Sequence, residues 1–123
     1  MSLMAEMSDE AVDFANRMFD LAREGDEGLL DYVDRGVDPN LTTEIGDTLL
    51  MVAAYYGRAA LVAGLVDRDA DVNALNDRGQ APVAGAVFQG HTAIVDLLIE
   101  AGADLDAGSP SGRETAALLG IEL

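Results

Sequence analysis

The sequence predicts an all-α solenoid in which helix-turn-helix units of one fixed length stack side by side. Three observations predict it. Glycines recur at a spacing of 33 residues, apolar side chains recur on the same ruler in helical patterns, and short Asp- and Asn-bearing segments close each copy. A period of this length marks a chain built by repeating one supersecondary unit, because each unit can bury its apolar face only against a neighbour.

Gly46, Gly79 and Gly112 keep the interval, as do Gly57 and Gly90; Asp38, Asp71 and Asp104 follow it, and so do Asn40, Asn73 and Asp106. Leu61, Val62, Leu65 and Val66 precede Ile94, Val95, Leu98 and Ile99 by the same 33, and Leu29, Tyr32 and Val33 supply an earlier copy. Within a copy the steps are one, three or four residues, which places these side chains on one face of a helix. Helices are therefore expected near residues 9–24, 27–35, 48–56, 59–67, 81–89 and 92–101, with a short last one over 113–119. Ser8 suits the N-cap of the first. A chain that turns sharply after a helix wants a residue without Cβ, so Gly25, Gly57 and Gly90 should end first helices and Gly36 and Gly102 second ones. Asp69 stands where the middle copy lacks that glycine, and Asp tolerates the conformation better than most residues.

The stretch Gly46-Asp47-Thr48-Leu49-Leu50-Met51-Val52-Ala53-Ala54-Tyr55-Tyr56-Gly57 resembles the ankyrin signature of Gly, Thr-Pro-Leu-His, Ala-Ala and Gly. The next copy answers with Gly79, Pro82, Ala86, Gly90 and His91, and Ala103-Asp104-Leu105-Asp106-Ala107 is similar to the ankyrin closing loop. The resemblance spans about residues 9–119. It implies one ankyrin-repeat domain over residues 8–123, with repeats at about 8–42, 43–75 and 76–108 and a partial unit at 109–123. Residues 1–7 are expected to be a flexible N-terminus, partly vector-derived, with Met4 as the native start. Two departures stand out: Thr48-Leu49-Leu50-Met51 lacks the Pro and His, and Ala81-Pro82-Val83-Ala84 lacks the Thr and His. Because that Thr and His brace the family's turn, their loss implies softer repeats on the same fold. The first copy is one residue shorter between Gly25 and Gly36 and opens with polar Ser8-Asp9-Glu10, as a capping repeat would.

Composition removes several functions. At 123 residues, half of them apolar, the chain suits one modest core and has no room for a separate catalytic domain. Asp and Glu number 23 against seven basic residues, all arginine, for a net charge of −16. Such a surface repels phosphate, so nucleic acid and anionic membrane are poor partners, and the excess acid serves solubility. With no cysteine there is no disulfide or thiolate metal site, which fits a reducing cytoplasm. Met1-Ser2-Leu3-Met4 lacks the basic and then apolar profile of a signal peptide. Thr48–Val66 is nearly long and apolar enough to span a bilayer, but Gly57 and Arg58 at its centre suit two short helices better.

Catalytic, metal and cofactor sites are not expected. His91 is the single histidine, and without lysine or cysteine neither Schiff-base chemistry nor a phosphate-loop lysine is available. His91 follows Gly90, where the ankyrin pattern often places His to start a second helix, which implies a structural role. Gly108-Ser109-Pro110-Ser111-Gly112 has proline at the middle of its would-be nucleophile elbow and no strand before it, so it reads as a loop. Asp67-Arg68-Asp69-Ala70-Asp71-Val72-Asn73 starts like a calcium loop, yet Val72 and Arg78 stand where its obligatory Gly and Glu belong. Local turn hydrogen bonds from Asp71 and Asn73 explain the segment better. One histidine and no cysteine make zinc a still poorer fit.

The resemblance also implies a non-enzymatic module that binds another protein along its turn tips and the exposed face of its first helices. Carried over position by position, Tyr55 and Tyr56 precede Gly57, Phe88 and Gln89 precede Gly90, and Arg23 and Glu24 precede Gly25. The tips hold Glu44, Ile45 and Asp47 in one copy and Asp77, Arg78 and Gln80 in the next. Tyr and Arg dominate interface energetics, and three of the six aromatic residues fall on these sites. Phe88 and Tyr55 have an alternative place between repeats as core. The flanking acids Glu24, Glu44, Asp47 and Asp77 suit a partner that is apolar at its centre and basic at its rim. A second expectation is that Ala116, Leu118, Leu119, Ile121 and Leu123 leave an apolar C-terminal edge. Through that edge the chain would form a weak homodimer or dock in an assembly; otherwise it is a monomer.

Overall fold

A computed structural model describes residues 8–123; the expectations for residues 1–7 lie outside the described residues. The described residues form seven helices and no strand: α1 (Asp9–Glu24), α2 (Gly28–Asp34), α3 (Leu49–Tyr55), α4 (Ala59–Asp67), α5 (Pro82–Gln89), α6 (Thr92–Glu100) and α7 (Gly112–Leu119). Every expected helix is present within two residues of its expected bounds. The fold is an all-α stack of two layers. In one layer α3 packs between α1 and α5, and α5 also meets α7; in the other α4 packs between α2 and α6. Each helix pair of one copy, such as α3 with α4, ties the layers together.

Burial follows the repeat. Met18, Phe19, Leu29, Leu49, Leu50, Leu61, Leu65, Val83, Val87, Ile94 and Leu98 form one continuous buried core. The apolar stripe is narrower than the sequence suggests, since Val66 is only half-buried and Ile99 is exposed. At about 100° per residue these two lie some 140° from the first residue of their stripe, at its margin. Tyr32 is likewise exposed and rests edge-on against Phe14, with ring centroids 5.7 Å apart.

All seven helices end in the same way: two successive backbone N–H groups turn back onto the last helical carbonyls. After α4, Asp69 and Ala70 donate to Val66 and Leu65 at 3.1 Å each; after α6, Gly102 and Ala103 donate to Ile99 and Leu98 at 3.0 and 2.9 Å. This closure needs positive φ at the first of the two residues, which favours glycine. Asp69 is the one non-glycine residue in that conformation among the described residues, at φ 67°.

The copies are also joined by polar rungs. The Asn40 side-chain oxygen accepts the Asp71 N–H at 2.7 Å, and the Asn73 oxygen accepts the Asp104 N–H at 2.8 Å, one copy further on. Asp71 in turn accepts the Asn73 N–H at 2.9 Å, so the calcium-like segment is a closing turn of the repeat. Arg58 Nε donates to the Arg23 carbonyl at 2.7 Å, and His91 Nε2 lies 3.0 Å from the Tyr55 carbonyl. A carbonyl only accepts, so Nε2 carries the proton there. Position 58 and position 91, 33 apart, thus do one task with different side chains. Each reaches back to the preceding first helix.

Candidate protein-binding groove

The site is built on α3 and α5. Helix α3 starts where the buried Thr48 hydroxyl accepts the Met51 N–H at 3.1 Å, which satisfies one of the free donors of the first turn. Helix α5 has no side-chain cap and begins with Pro82, whose fixed φ and missing N–H suit a first turn. The face of α3 turned from the core carries Val52 and Tyr55, and Tyr56 follows at its end. The two tyrosine rings meet edge-on, centroids 5.4 Å apart, and remain 43% and 48% exposed. On α5 the corresponding face carries Gly85 and Phe88, the latter 58% exposed. Neither Tyr55 nor Phe88 is tucked between repeats.

The turn tips border this face. Asn76 is buried between them: its amide nitrogen donates to Asp47 Oδ1 and Gln80 Oε1, both at 2.9 Å, and its oxygen accepts the N–H groups of Arg78 and Gln80 at 3.0 Å. A backbone bond from the Asp77 N–H to the Ile45 carbonyl, 2.9 Å, joins the tips directly. Asp47 is accordingly half-buried, with one oxygen engaged inside the protein. The Arg78 guanidinium has no ion partner among the described residues, whereas Arg23 pairs with Asp20 one turn earlier on α1.

Together these elements enclose a groove of about 630 Å³. Seven residues expected at a binding face line it: Arg23, Asp47, Tyr55, Tyr56, Arg78, Gln80 and Phe88. Glu24, Glu44, Ile45, Asp77 and Gln89 are exposed but outside its lining. Met51, Val52, Ala84, Gly85 and Pro110, which are not among the residues expected at this face, also line the groove, as do Leu118 and Leu119, expected at the C-terminal edge. The missed signal was periodic: Val52, Gly85 and Leu118 are 33 apart and share one register on α3, α5 and α7. Chemically the groove offers aromatic and aliphatic carbon with two guanidinium groups and one carboxylate. That composition can bury an apolar segment and orient it with a few polar contacts.

Other groups considered for chemistry are engaged in the fold. Ser111 is buried; its hydroxyl accepts the Glu114 N–H at 3.1 Å, and the Glu114 carboxylate accepts the Ser111 N–H at 3.0 Å. This reciprocal cap starts α7. Away from the groove, hydrogen bonds from Arg68 at 2.7 and 3.1 Å hold the Asp34 carboxyl below its usual range. A hydrogen bond to Asp106 likewise raises Arg113.

A two-layer helical stack with a 33-residue register and a groove across its first helices defines a helical-repeat protein. A family model for ankyrin repeats matches residues 18–109 in three copies, and the chain belongs to that family. It is also 41% identical over 58 residues, 46% of its length, to a Pseudomonas aeruginosa protein named for ankyrin repeats. The chain spans about a third of that protein, 34% of its length. Ankyrin repeats are generally protein–protein interaction modules, and the family is typically non-enzymatic. No helix among the described residues is long and apolar enough to cross a membrane.

Proposed function

We propose that this chain is a non-enzymatic adaptor or regulatory binder that docks one protein in the groove across α3 and α5. The observation that carries the reading is the pair Tyr55 and Tyr56, both about half exposed on the groove wall. A tyrosine fully covered by a partner contributes about 2 kcal/mol or more to binding. The partner is apolar where it meets the groove and basic beyond it, facing the exposed acids Glu24, Glu44 and Asp77. The absence of cysteine supports a cytoplasmic setting.

Replacing Tyr55 and Tyr56 together by Ala tests this, because neither ring belongs to the buried core. The expected result is unchanged helical content by circular dichroism and loss of the protein captured from native lysate by the parent chain. Unchanged capture would defeat the reading.

A second reading rests on the exposed apolar carbon at the C-terminal end, where Leu118 is 80% exposed and Leu119, Ile121 and Leu123 are exposed beside it. There the chain acts as an assembly subunit that pairs with a second copy. Sedimentation should then show a mass that rises with concentration and falls back to the monomer in Leu119→Ser; a monomer at every concentration removes this reading.

A further inference from the structure

Two glycines sit inside helices rather than at their ends, and they differ in kind. Gly64 on α4 is buried, and a Cβ built on it would overlap the methyl groups of Leu30 on α2. A side chain there would require Leu30 to move aside. Gly85 on α5 is half-buried on the groove floor, and a Cβ on it would meet only the Tyr55 ring, at 3.6 Å, an ordinary van der Waals contact. Its φ is not in the left-handed region either. Glycine in a helix interior is less stable than alanine, so the fold gains nothing from Gly85.

We infer that Gly85 is a seat for one bulky apolar side chain of the docked protein, whose neighbouring carboxylate pairs with Arg78. The inference rests on the groove reading above and names the chemistry of its occupant. In the same register the flanking copies place Val52 and Leu118, so the missing side chain opens a gap in an otherwise filled row, walled by the Tyr55 ring. Glycine at such a position lets a ligand approach the helix backbone closely. Charge selects the rest of the segment. Of the three charged groups lining the groove, Asp47 accepts a hydrogen bond from the Asn76 amide and Arg23 pairs with Asp20, leaving Arg78 as the one cation there without an ion partner among the described residues. In a chain of net charge −16 this is the point that accepts a carboxylate, and a guanidinium binds one with two parallel hydrogen bonds.

The test is selection of displayed random peptides on the parent chain, followed by titration of the enriched peptides against Gly85→Val, Gly85→Ala, Arg78→Gln and Tyr55→Ala. The expected peptides carry Trp, Phe or Leu beside Asp or Glu. Gly85→Val, which copies Val52, should weaken them about tenfold or more, and Gly85→Ala should raise the melting temperature. Arg78→Gln should weaken them too, with no effect on peptides whose acid is replaced by its amide. Four results would overturn the inference. Binding to Gly85→Val unchanged while Tyr55→Ala loses it leaves the groove and removes the seat. A lower melting temperature for Gly85→Ala means that the fold requires the glycine. A self-association of the parent that Gly85→Val abolishes assigns the seat to a second copy. No enriched peptide, or enriched peptides indifferent to Tyr55→Ala, removes the groove reading and the seat with it.

Discussion

The second and third repeats share one frame and fill it differently. At the start of the first helix, a threonine cap in one copy is replaced by a proline first turn in the other. At the start of the second helix, Arg58 in one copy and His91 in the other reach back to a carbonyl of the preceding repeat. At its end, Asp69 and Gly102 both take positive φ, 67° and 98°. Framework positions thus accept several chemistries, because what they must supply is one hydrogen bond or one backbone angle. In the second helices the core positions keep size-matched carbon, Leu61 with Ile94, Val62 with Val95 and Leu65 with Leu98. The groove position is different again, since Val52 and Gly85 diverge with no packing reason on the protein side.

The largest expected effect comes from breaking the contact between copies. Leu65 is fully buried in α4 and joins the core shared with its neighbours, so Leu65→Asp leaves an unpaired charge there at a cost of about 3–5 kcal/mol. That is a large part of the about 5–15 kcal/mol that holds a domain together. Because each copy is covered only by its neighbours, most of the helical signal in circular dichroism should vanish, not a middle third. A melting curve like the parent's would contradict the assigned core.

The two helical glycines sharpen the comparison by opposite signs. Gly64→Ala forces Leu30 aside, and overpacking of about 1–3 kcal/mol exceeds the helix gain, so urea unfolding should move to lower concentration. Gly85→Ala meets no such neighbour and should stabilise by about 0.5–1 kcal/mol. Shifts of the same sign in both would show that the two sites are equivalent after all.

The smallest effect concerns a pair that only one repeat has. Arg68 reaches back to Asp34, whereas the equivalent position in the next copy is Ala101, which leaves Asp67 without that partner. The pair lowers the Asp34 pKa, so its contribution is present above the unfolded carboxylate value of about 3.9 and is lost as pH falls through the lower folded value. Asp34→Asn should therefore lower the melting temperature slightly at neutral pH, with the gap to the parent closing in acid. A gap that persists unchanged in strong acid would assign the effect to something other than the ion pair.

The fold was legible because its signal is a spacing. Glycines that end helices and apolar faces that stack must both keep the 33-residue period, and the helices follow from them. Asp69 could be placed in a glycine's position for the same reason. The groove was legible only in part. Tyr55, Tyr56 and Phe88 were reached by register, but the engagement of Asp47 with Asn76 joins residues 29 apart in sequence and depends on how closely two tips approach. Gly85 carries no such signal, because in sequence glycine marks a turn, and a glycine inside a helix acquires meaning only once the space above it is known. The margins of the outer faces, Val66 and Ile99, escaped because residue type does not say how wide a face its neighbour covers.

A photo-reactive residue installed at Phe88, on the groove, and separately at Glu100, exposed at the end of α6 and outside the groove lining, tests the proposed binding face most directly. Irradiation in native lysate should give a discrete cross-linked species from position 88 that unlabelled parent chain competes away, and none from position 100. The same species from position 100, with position 88 silent, would place the binding face elsewhere.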